Sequence, residues 1–161
     1  MEKIIKVGMA DLAVTKSPGV LITIGLGSCV GVVLYDPYSK IGGLVHIMLP
    51  DSSRALKNEN KAKFADTGIL LLYEKIIGAG ANRGRLISKI AGGAQMFNLS
   101  SFNNNLKIGE RNVEACKEVL KKLGIPIKAE DVGGTYGRTI EFYTENGMLM
   151  IKTVGAGIKT I

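Results

Sequence analysis

Two residues of the sequence could form a cysteine/histidine catalytic pair. Cys29 lies in a glycine-rich segment, 25–31, between two apolar stretches that predict β-strands. His46, the one histidine of the chain, lies in a further apolar stretch at 41–49. An imidazole can take the proton of a thiol as the thiol attacks an acyl carbon, and can then protonate the leaving group. The residue types therefore raise the hypothesis of Cys/His nucleophilic catalysis.

Both residues also have ordinary structural explanations. A free cysteine usually behaves as a small buried apolar residue, and a histidine in an apolar strand is often a satisfied polar residue. The glycines favour chemistry, because a sharply turning backbone with unshielded N–H groups can bind the oxyanion of a tetrahedral intermediate. We expect Gly27 and Ser28 to supply such groups. Cys116, in contrast, lies on the apolar stripe of a predicted helix, and we interpret it as core packing.

Two other kinds of site are disfavoured. Gly25, Gly27 and Gly31 come within one residue of the dinucleotide-binding fingerprint, but a β-stretch follows them. Nucleotide sites of that type need a helix N-terminus after the glycines. One histidine, two cysteines and scattered carboxylates make a poor metal site. We therefore expect neither a cofactor nor a metal ion.

Length and composition predict one globular domain spanning 1–161. The chain is 46% hydrophobic and 22% charged, as soluble globular proteins are. It has no signal-peptide pattern and no apolar run near the roughly 18 residues of a membrane span, so we predict a cytoplasmic protein without membrane insertion. The net charge of +7 is spread over scattered lysines. This favours a solvated surface over a nucleic-acid-binding face, and attraction to an acidic protein partner is a third explanation. We expect no nucleic-acid partner.

Alternation of apolar residues and turn signals predict about nine strands and two helices. The strands are at 2–7, 11–15, 20–26, 30–35, 41–49, 86–91, 125–132, 138–144 and 148–154, and the helices at 62–79 and 109–123. Short turns join many strands, which predicts an α/β (α+β) fold of mostly antiparallel or mixed sheet with the helices packed outside. His46 falls on the second arm of a predicted hairpin. The polar segment 51–62 is predicted to be a mobile loop, for which a lid role stays open, and 98–105 a polar loop.

Several short motifs follow one another through most of the chain. They comprise Thr23 with 25–29, then 43–46 with 48–50, 63–66, 89–97, 108–112, 131–134 and 137–138. In this order and spacing the chain resembles the CheD family, the chemoreceptor glutamine deamidases of bacterial and archaeal chemotaxis.

The resemblance implies a catalytic triad of Cys29, His46 and Thr23, in which Thr23 holds the imidazole ring. It implies a three-layer sandwich similar to the catalytic domain of cytotoxic necrotizing factor toxins. The implied reaction hydrolyses selected receptor glutamine amides to glutamates, with ammonia released and a thioester as intermediate. The implied partners are the cytoplasmic helices of methyl-accepting chemoreceptors and a CheC-type phosphatase.

Without the resemblance, the residues alone leave the role of Thr23 and the function of the protein less well defined. Thr23 would not be chosen without it, because a threonine in a strand normally reflects β-propensity. Two alternative functions stay open. One is a non-catalytic module that binds and regulates CheC, and the other is a cysteine hydrolase acting on receptor methyl esters.

Overall fold

The structure, a computed structural model, describes residues 2–96 and 107–161. The described strands are β1 (Lys3–Lys6), β2 (Leu12–Lys16), β3 (Gly19–Leu26), β4 (Val30–Asp36), β5 (Ile41–Ile47), β6 (Ile87–Gly92), β7 (Ile127–Val132), β8 (Arg138–Tyr143), β9 (Met148–Thr153) and β10 (Gly157–Thr160). The two α-helices are α1 (Ala65–Gly78) and α2 (Ile108–Lys122). Within these residues, neither helix has the length and apolar character needed to cross a membrane.

The strands form two five-stranded sheets. The outer sheet has the order β1-β3-β8-β9-β10, and the middle sheet has the order β2-β5-β4-β6-β7. The pairs β1/β3 and β6/β7 are parallel, and the other neighbouring strands are antiparallel. The predicted α+β class with a mostly antiparallel, mixed sheet is therefore confirmed.

The middle sheet is covered on both faces, which makes three layers. Every residue of β4 and β5 is buried. Along β4, Val32 and Leu34 pack with residues of α1 and α2, whereas Val33 and Tyr35 pack with residues of the outer sheet. Alternate side chains of a strand point to opposite faces, so one strand can fill two cores. The three-layer arrangement with helices outside is confirmed, while the likeness to the toxin domain stays a prediction.

A tight turn holds the β4–β5 hairpin that carries His46. Asp36 closes β4 and pairs with Ile41 of β5. Its buried carboxylate accepts hydrogen bonds from the backbone N–H groups of Tyr38 and Ser39 and, on both oxygens at 3.0 Å, from the Arg85 side chain. The predicted hairpin is confirmed, and the turn fixes its register.

The predicted elements differ from the observed ones most clearly at three places. Strand β10 was not predicted, because all four of its residues are exposed and burial imposes no alternation on them. Helix α1 begins at Ala65, and the short 3₁₀ turn Lys61–Lys63 precedes it. The segment 51–62 contains a further 3₁₀ turn at Ser52–Arg54, and whether it closes over the site stays a prediction. The predicted loop at 98–105 lies outside the described residues.

Candidate active site

A β-bulge at the end of β3 shapes the approach to Cys29. Thr23 pairs with Ile140 of β8, and the next pair is Leu26 with Arg138, so the register shifts between them. Gly25 lies in the bulge with φ of +78°, a left-handed conformation that glycine adopts without strain. As a result Thr23 and Leu26 both face inward and are buried. The chain then enters the segment 27–29, referred to below as the thiol segment.

Thr23 and His46 are in direct contact between the two sheets. The Thr23 hydroxyl oxygen lies 2.8 Å from Nδ1 of His46 and 2.7 Å from the backbone carbonyl oxygen of Val7. Because that carbonyl can only accept, the single hydroxyl proton goes to Val7, and the hydroxyl oxygen accepts from Nδ1–H. The hydrogen-bond pattern thus assigns the neutral ring a proton on Nδ1 and a lone pair on Nε2. Thr23 fixes both the orientation and the tautomer of the ring.

The free nitrogen of His46 has no partner in the part of the chain that the structure describes. Its Nε2 is buried and makes no hydrogen bond there. A buried ring nitrogen without a hydrogen bond costs free energy, and a use in chemistry would account for that cost. This atom is the one that could take a proton from a thiol.

Cys29 lies on the same face of the middle sheet as His46. His46 pairs with Gly31 across the β4–β5 ladder, and Cys29 precedes Gly31 by two residues. Its half-buried side chain packs against the apolar cluster between the two sheets. Diagonal neighbours across an antiparallel ladder lie roughly 7–8 Å apart, and their Cβ atoms are somewhat closer. The structure brings Cys29 into the neighbourhood of His46, although no thiol–imidazole hydrogen bond forms among the described residues.

The thiol segment is held by its three successive carbonyl groups. The carbonyl of Gly27 accepts from the Ala94 N–H at 2.9 Å, and that of Cys29 accepts from the Gly93 N–H at 2.8 Å. The carbonyl of Ser28 accepts from the Asn112 side-chain amide at 3.0 Å. Since a trans peptide points its C=O and N–H in opposite directions, these bonds also orient the N–H groups of Ser28 and Cys29.

Of the two predicted oxyanion-binding residues, one has its N–H already engaged. The N–H of Gly27 donates to the carbonyl oxygen of Gly25 at 3.1 Å. The N–H groups of Ser28 and Cys29 bond to no other backbone group within residues 2–96 and 107–161, so they are the better candidates for an oxyanion.

Burial sets the protonation states of the pair. It raises the pKa of the Cys29 thiol above its ordinary 9.0, and the residue's own backbone N–H lowers that pKa in part. Burial also lowers the pKa of His46 below its ordinary 6.5. At neutral pH the resting pair is therefore a thiol and a neutral imidazole. Cys116 is the contrast: it is fully buried in the helix-side core, and burial raises its pKa to about 12. The prediction of core packing for Cys116 is confirmed.

Asn112 contacts the thiol segment, although its position in the sequence predicted no role for it. It lies on the buried stripe of α2, one helical turn before Cys116 and two turns before Leu120. A polar side chain at such a position needs buried partners, and this was the available signal. Which backbone groups those partners are depends on long-range packing, which sequence spacing does not give.

Comparison with known proteins identifies the family. The family described as "CheD chemotactic sensory transduction" matches residues 48–153. This range begins after Thr23, Cys29 and His46, so the match does not depend on them.

Full-length relatives extend the similarity over those residues. A protein of Caldanaerobacter subterraneus subsp. tengcongensis named "Probable chemoreceptor glutamine deamidase CheD" is 66% identical over 159 residues, covering 99% of this chain and 98% of the relative. One of Halalkalibacterium halodurans named "Chemoreceptor glutamine deamidase CheD" is 56% identical over 162 residues, covering 100% of both chains. The chain belongs to the CheD family.

Proposed function

We propose that this protein is a protein-glutamine glutaminase that hydrolyses glutamine side-chain amides of chemoreceptors to glutamates. The observation that carries the proposal is the Thr23–His46 contact, which leaves a buried, unpaired Nε2 on the sheet face that also carries Cys29. The names of the two relatives supply the substrate class. The geometry supports roles for Cys29 as nucleophile, His46 as base and Thr23 as orienting group in amide hydrolysis.

The first half of the proposed reaction forms a thioester. Sγ of Cys29 attacks the carboxamide carbon while Nε2 of His46 takes the thiol proton. The N–H groups of Ser28 and Cys29 hold the oxyanion. Collapse of the tetrahedral intermediate breaks the C–N bond, and His46 delivers its proton to the departing nitrogen, so ammonia leaves and the ring is neutral again.

The second half regenerates the enzyme. His46 takes a proton from water as the water oxygen attacks the thioester carbon. The C–S bond then breaks, the proton on His46 passes to Sγ, and the receptor side chain leaves as a carboxylic acid, which loses its remaining proton to water and becomes glutamate. Thr23 stays bonded to Nδ1 throughout, and its hydroxyl oxygen stabilises the positive charge that the ring carries in each half.

Mass spectrometry of a receptor cytoplasmic fragment tests the proposal. Wild-type protein and Cys116→Ala should convert glutamine to glutamate at similar rates, and Cys29→Ala should not convert it. Equal conversion by Cys29→Ala would refute the role of the thiol. Loss of methyl esters without loss of amides would favour the esterase alternative.

The binding of a CheC-type phosphatase is a separate part of the proposal, supported by the family resemblance. Tight CheC binding by a wild-type protein that leaves every receptor glutamine intact would favour the non-catalytic module. Conversion of glutamine without measurable CheC binding would remove the phosphatase from the proposal and leave the enzyme in place.

A further inference from the structure

We propose that Asn112 is a positioning residue of the reaction, which holds the Cys29 N–H in place as an oxyanion donor. The proposal rests on the function proposed above. Nδ2 of Asn112 donates to the carbonyl oxygens of Ser28 and Met48, each at 3.0 Å. One amide group on α2 therefore ties the thiol segment to the end of the strand that carries His46.

The chemistry of the two partners fixes which way the amide faces. Both partners are carbonyl oxygens, which accept and cannot donate, so the NH₂ group of Asn112 must face them. Asn112 is fully buried, and its Oδ1 has no partner in the described part of the chain. Burying an amide whose oxygen has no hydrogen bond costs free energy. The two hydrogen bonds that Nδ2 donates are the contacts that offset this cost.

The bond to Ser28 acts on the peptide that precedes Cys29. The carbonyl of Ser28 and the N–H of Cys29 belong to one planar group and point in opposite directions. Holding the oxygen towards α2 turns the Cys29 N–H away from the helix. A hydrogen bond to the carbonyl also polarises the peptide and makes its N–H a stronger donor.

Asn112 is the one side chain among the three groups that hold the thiol segment. Backbone N–H groups of Gly93 and Ala94 hold the carbonyls of Cys29 and Gly27, and substitution cannot remove those donors simply. The middle carbonyl alone depends on a side chain, so replacing Asn112 frees one peptide while its two neighbours stay held.

The contact with Met48 couples this peptide to the base. Met48 follows β5 directly, two residues after His46. The side-chain amide of Asn112 therefore limits the movement of the thiol segment relative to β5, the strand that contains His46. Productive attack requires such fixed geometry, since small misplacements of reacting groups cost large factors in rate.

The closing experiment compares Asn112→Ala and Asn112→Asp with Thr144→Val. Like Asn112, Thr144 is fully buried and makes two hydrogen bonds to the backbone. Its hydroxyl donates to the Gly19 carbonyl and accepts from the Gly19 N–H. Gly19 is the first residue of β3, at the opposite end of this strand from the bulge. The Thr144→Val variant therefore measures the loss of stability when a buried polar contact away from the site is removed.

We expect both Asn112 variants to lower kcat roughly 10- to 100-fold with little change in KM, below the loss of about 10²–10³-fold that follows removal of a whole oxyanion donor. The carboxyl group that Asn112→Asp introduces would be protonated at low pH and could then donate to one carbonyl. The kcat of this variant relative to wild type should therefore rise as pH falls. Thr144→Val should lose stability and keep its kcat.

The NMR order parameter of the Cys29 N–H gives a readout that does not depend on activity. It should fall in both Asn112 variants and keep the wild-type value in Thr144→Val. An unchanged order parameter together with unchanged kcat in folded Asn112→Asp would overturn the proposal. If wild type hydrolyses no receptor glutamine, the proposed function fails, and the order parameters still decide whether Asn112 orders this peptide.

Discussion

Arg138 on β8 and Asp131 on β7 form an ion pair that joins the outer sheet to the middle sheet. Nε of Arg138 donates to one carboxylate oxygen of Asp131 at 3.1 Å, and Nζ of Lys159 donates to the other at 2.7 Å. The Arg138 side chain has no exposed area, and its Nη1 lies 3.4 Å from the carbonyl oxygen of Gly92. The pair thus braces the backbone that lies directly behind the thiol segment.

Removing one partner of this pair should be strongly destabilising. Asp131→Leu leaves the guanidinium of Arg138 buried without its carboxylate, and such losses cost about 3–5 kcal/mol. Lys159→Met should cost at most about 1 kcal/mol, because the lysine is 55% exposed and its bond is screened by water. Urea unfolding of both variants gives the comparison, and equal losses would contradict the distinction between a buried and an exposed partner.

Thr23→Val should impair the reaction more than the fold. The substitution keeps the shape and removes the hydroxyl that holds Nδ1 of His46 and satisfies the Val7 carbonyl. A hydrogen bond to a charged group contributes about 1.5–3 kcal/mol, which corresponds to about 10- to 150-fold in kcat/KM. Steady-state deamidation measures this loss. Thr23→Ser, which keeps the hydroxyl, should retain most of the activity, and an equal loss in both variants would refute the orienting role.

The hairpin with His46 was predictable from the sequence because its signals are local. Turn residues at 36–40 and apolar stretches on both sides define β4 and β5. The helices followed in the same way from their apolar stripes. Cys29 and His46 were predicted from residue type, since a thiol beside glycines and a single histidine are evident in the sequence.

The remaining parts of the site depend on contacts between distant segments. Thr23 reaches His46 from the other sheet, and Asn112 reaches Ser28 from a helix 84 residues along the chain. Neither contact follows from a periodic pattern in the sequence, because each depends on how the two sheets and α2 pack against one another. Thr23 was predicted from the family resemblance, and Asn112 was missed.

The pH dependence of the activity should show a broad plateau. His46 must be neutral to accept the thiol proton, and burial lowers its pKa, so kcat/KM should fall only below pH 6.5. The thiol must keep its proton, because His46 later delivers that proton to the departing nitrogen, and the raised pKa of the thiol places the alkaline fall above pH 9.0. A pH series of kcat/KM checks both limbs. A decline between about pH 7 and 9 would instead indicate a resting thiolate–imidazolium pair.

The free energy of unfolding should depend on pH through His46, the one histidine of the chain. The pKa of His46 is lower in the folded chain than in the unfolded chain, so the unfolded state binds more protons below pH 6.5. Its contribution is present above pH 6.5 and is lost as pH falls towards the folded-state value, with a slope of at most about 1.4 kcal/mol per pH unit. Urea unfolding from about pH 8 to 5 measures the slope. His46→Gln should remove it, and an unchanged slope would assign the effect to other groups.

Gly92 and Gly80 offer a matched test of how closely the backbone packs behind Cys29. Both glycines have φ of +115°, so alanine at either position is strained by about 1–3 kcal/mol. A Cβ on Gly92 would also collide with the carbonyl oxygen of Cys29, whereas a Cβ on Gly80 would meet only the Cδ1 atom of Ile41, at 3.4 Å. The collision must displace the thiol segment.

The two alanine variants should therefore separate strain from displacement. Both should lose stability in urea unfolding, and Gly92→Ala should lose more. Gly80→Ala should keep the wild-type kcat, because Gly80 packs beside Ile41, at the end of β5 that lies away from His46. Gly92→Ala should lower kcat at least about 10-fold per folded molecule, since a displacement near 1 Å can cost as much as about 10²-fold. An unchanged kcat in folded Gly92→Ala would show that the thiol segment tolerates movement, and would count against fixed carbonyl geometry as a requirement of the reaction.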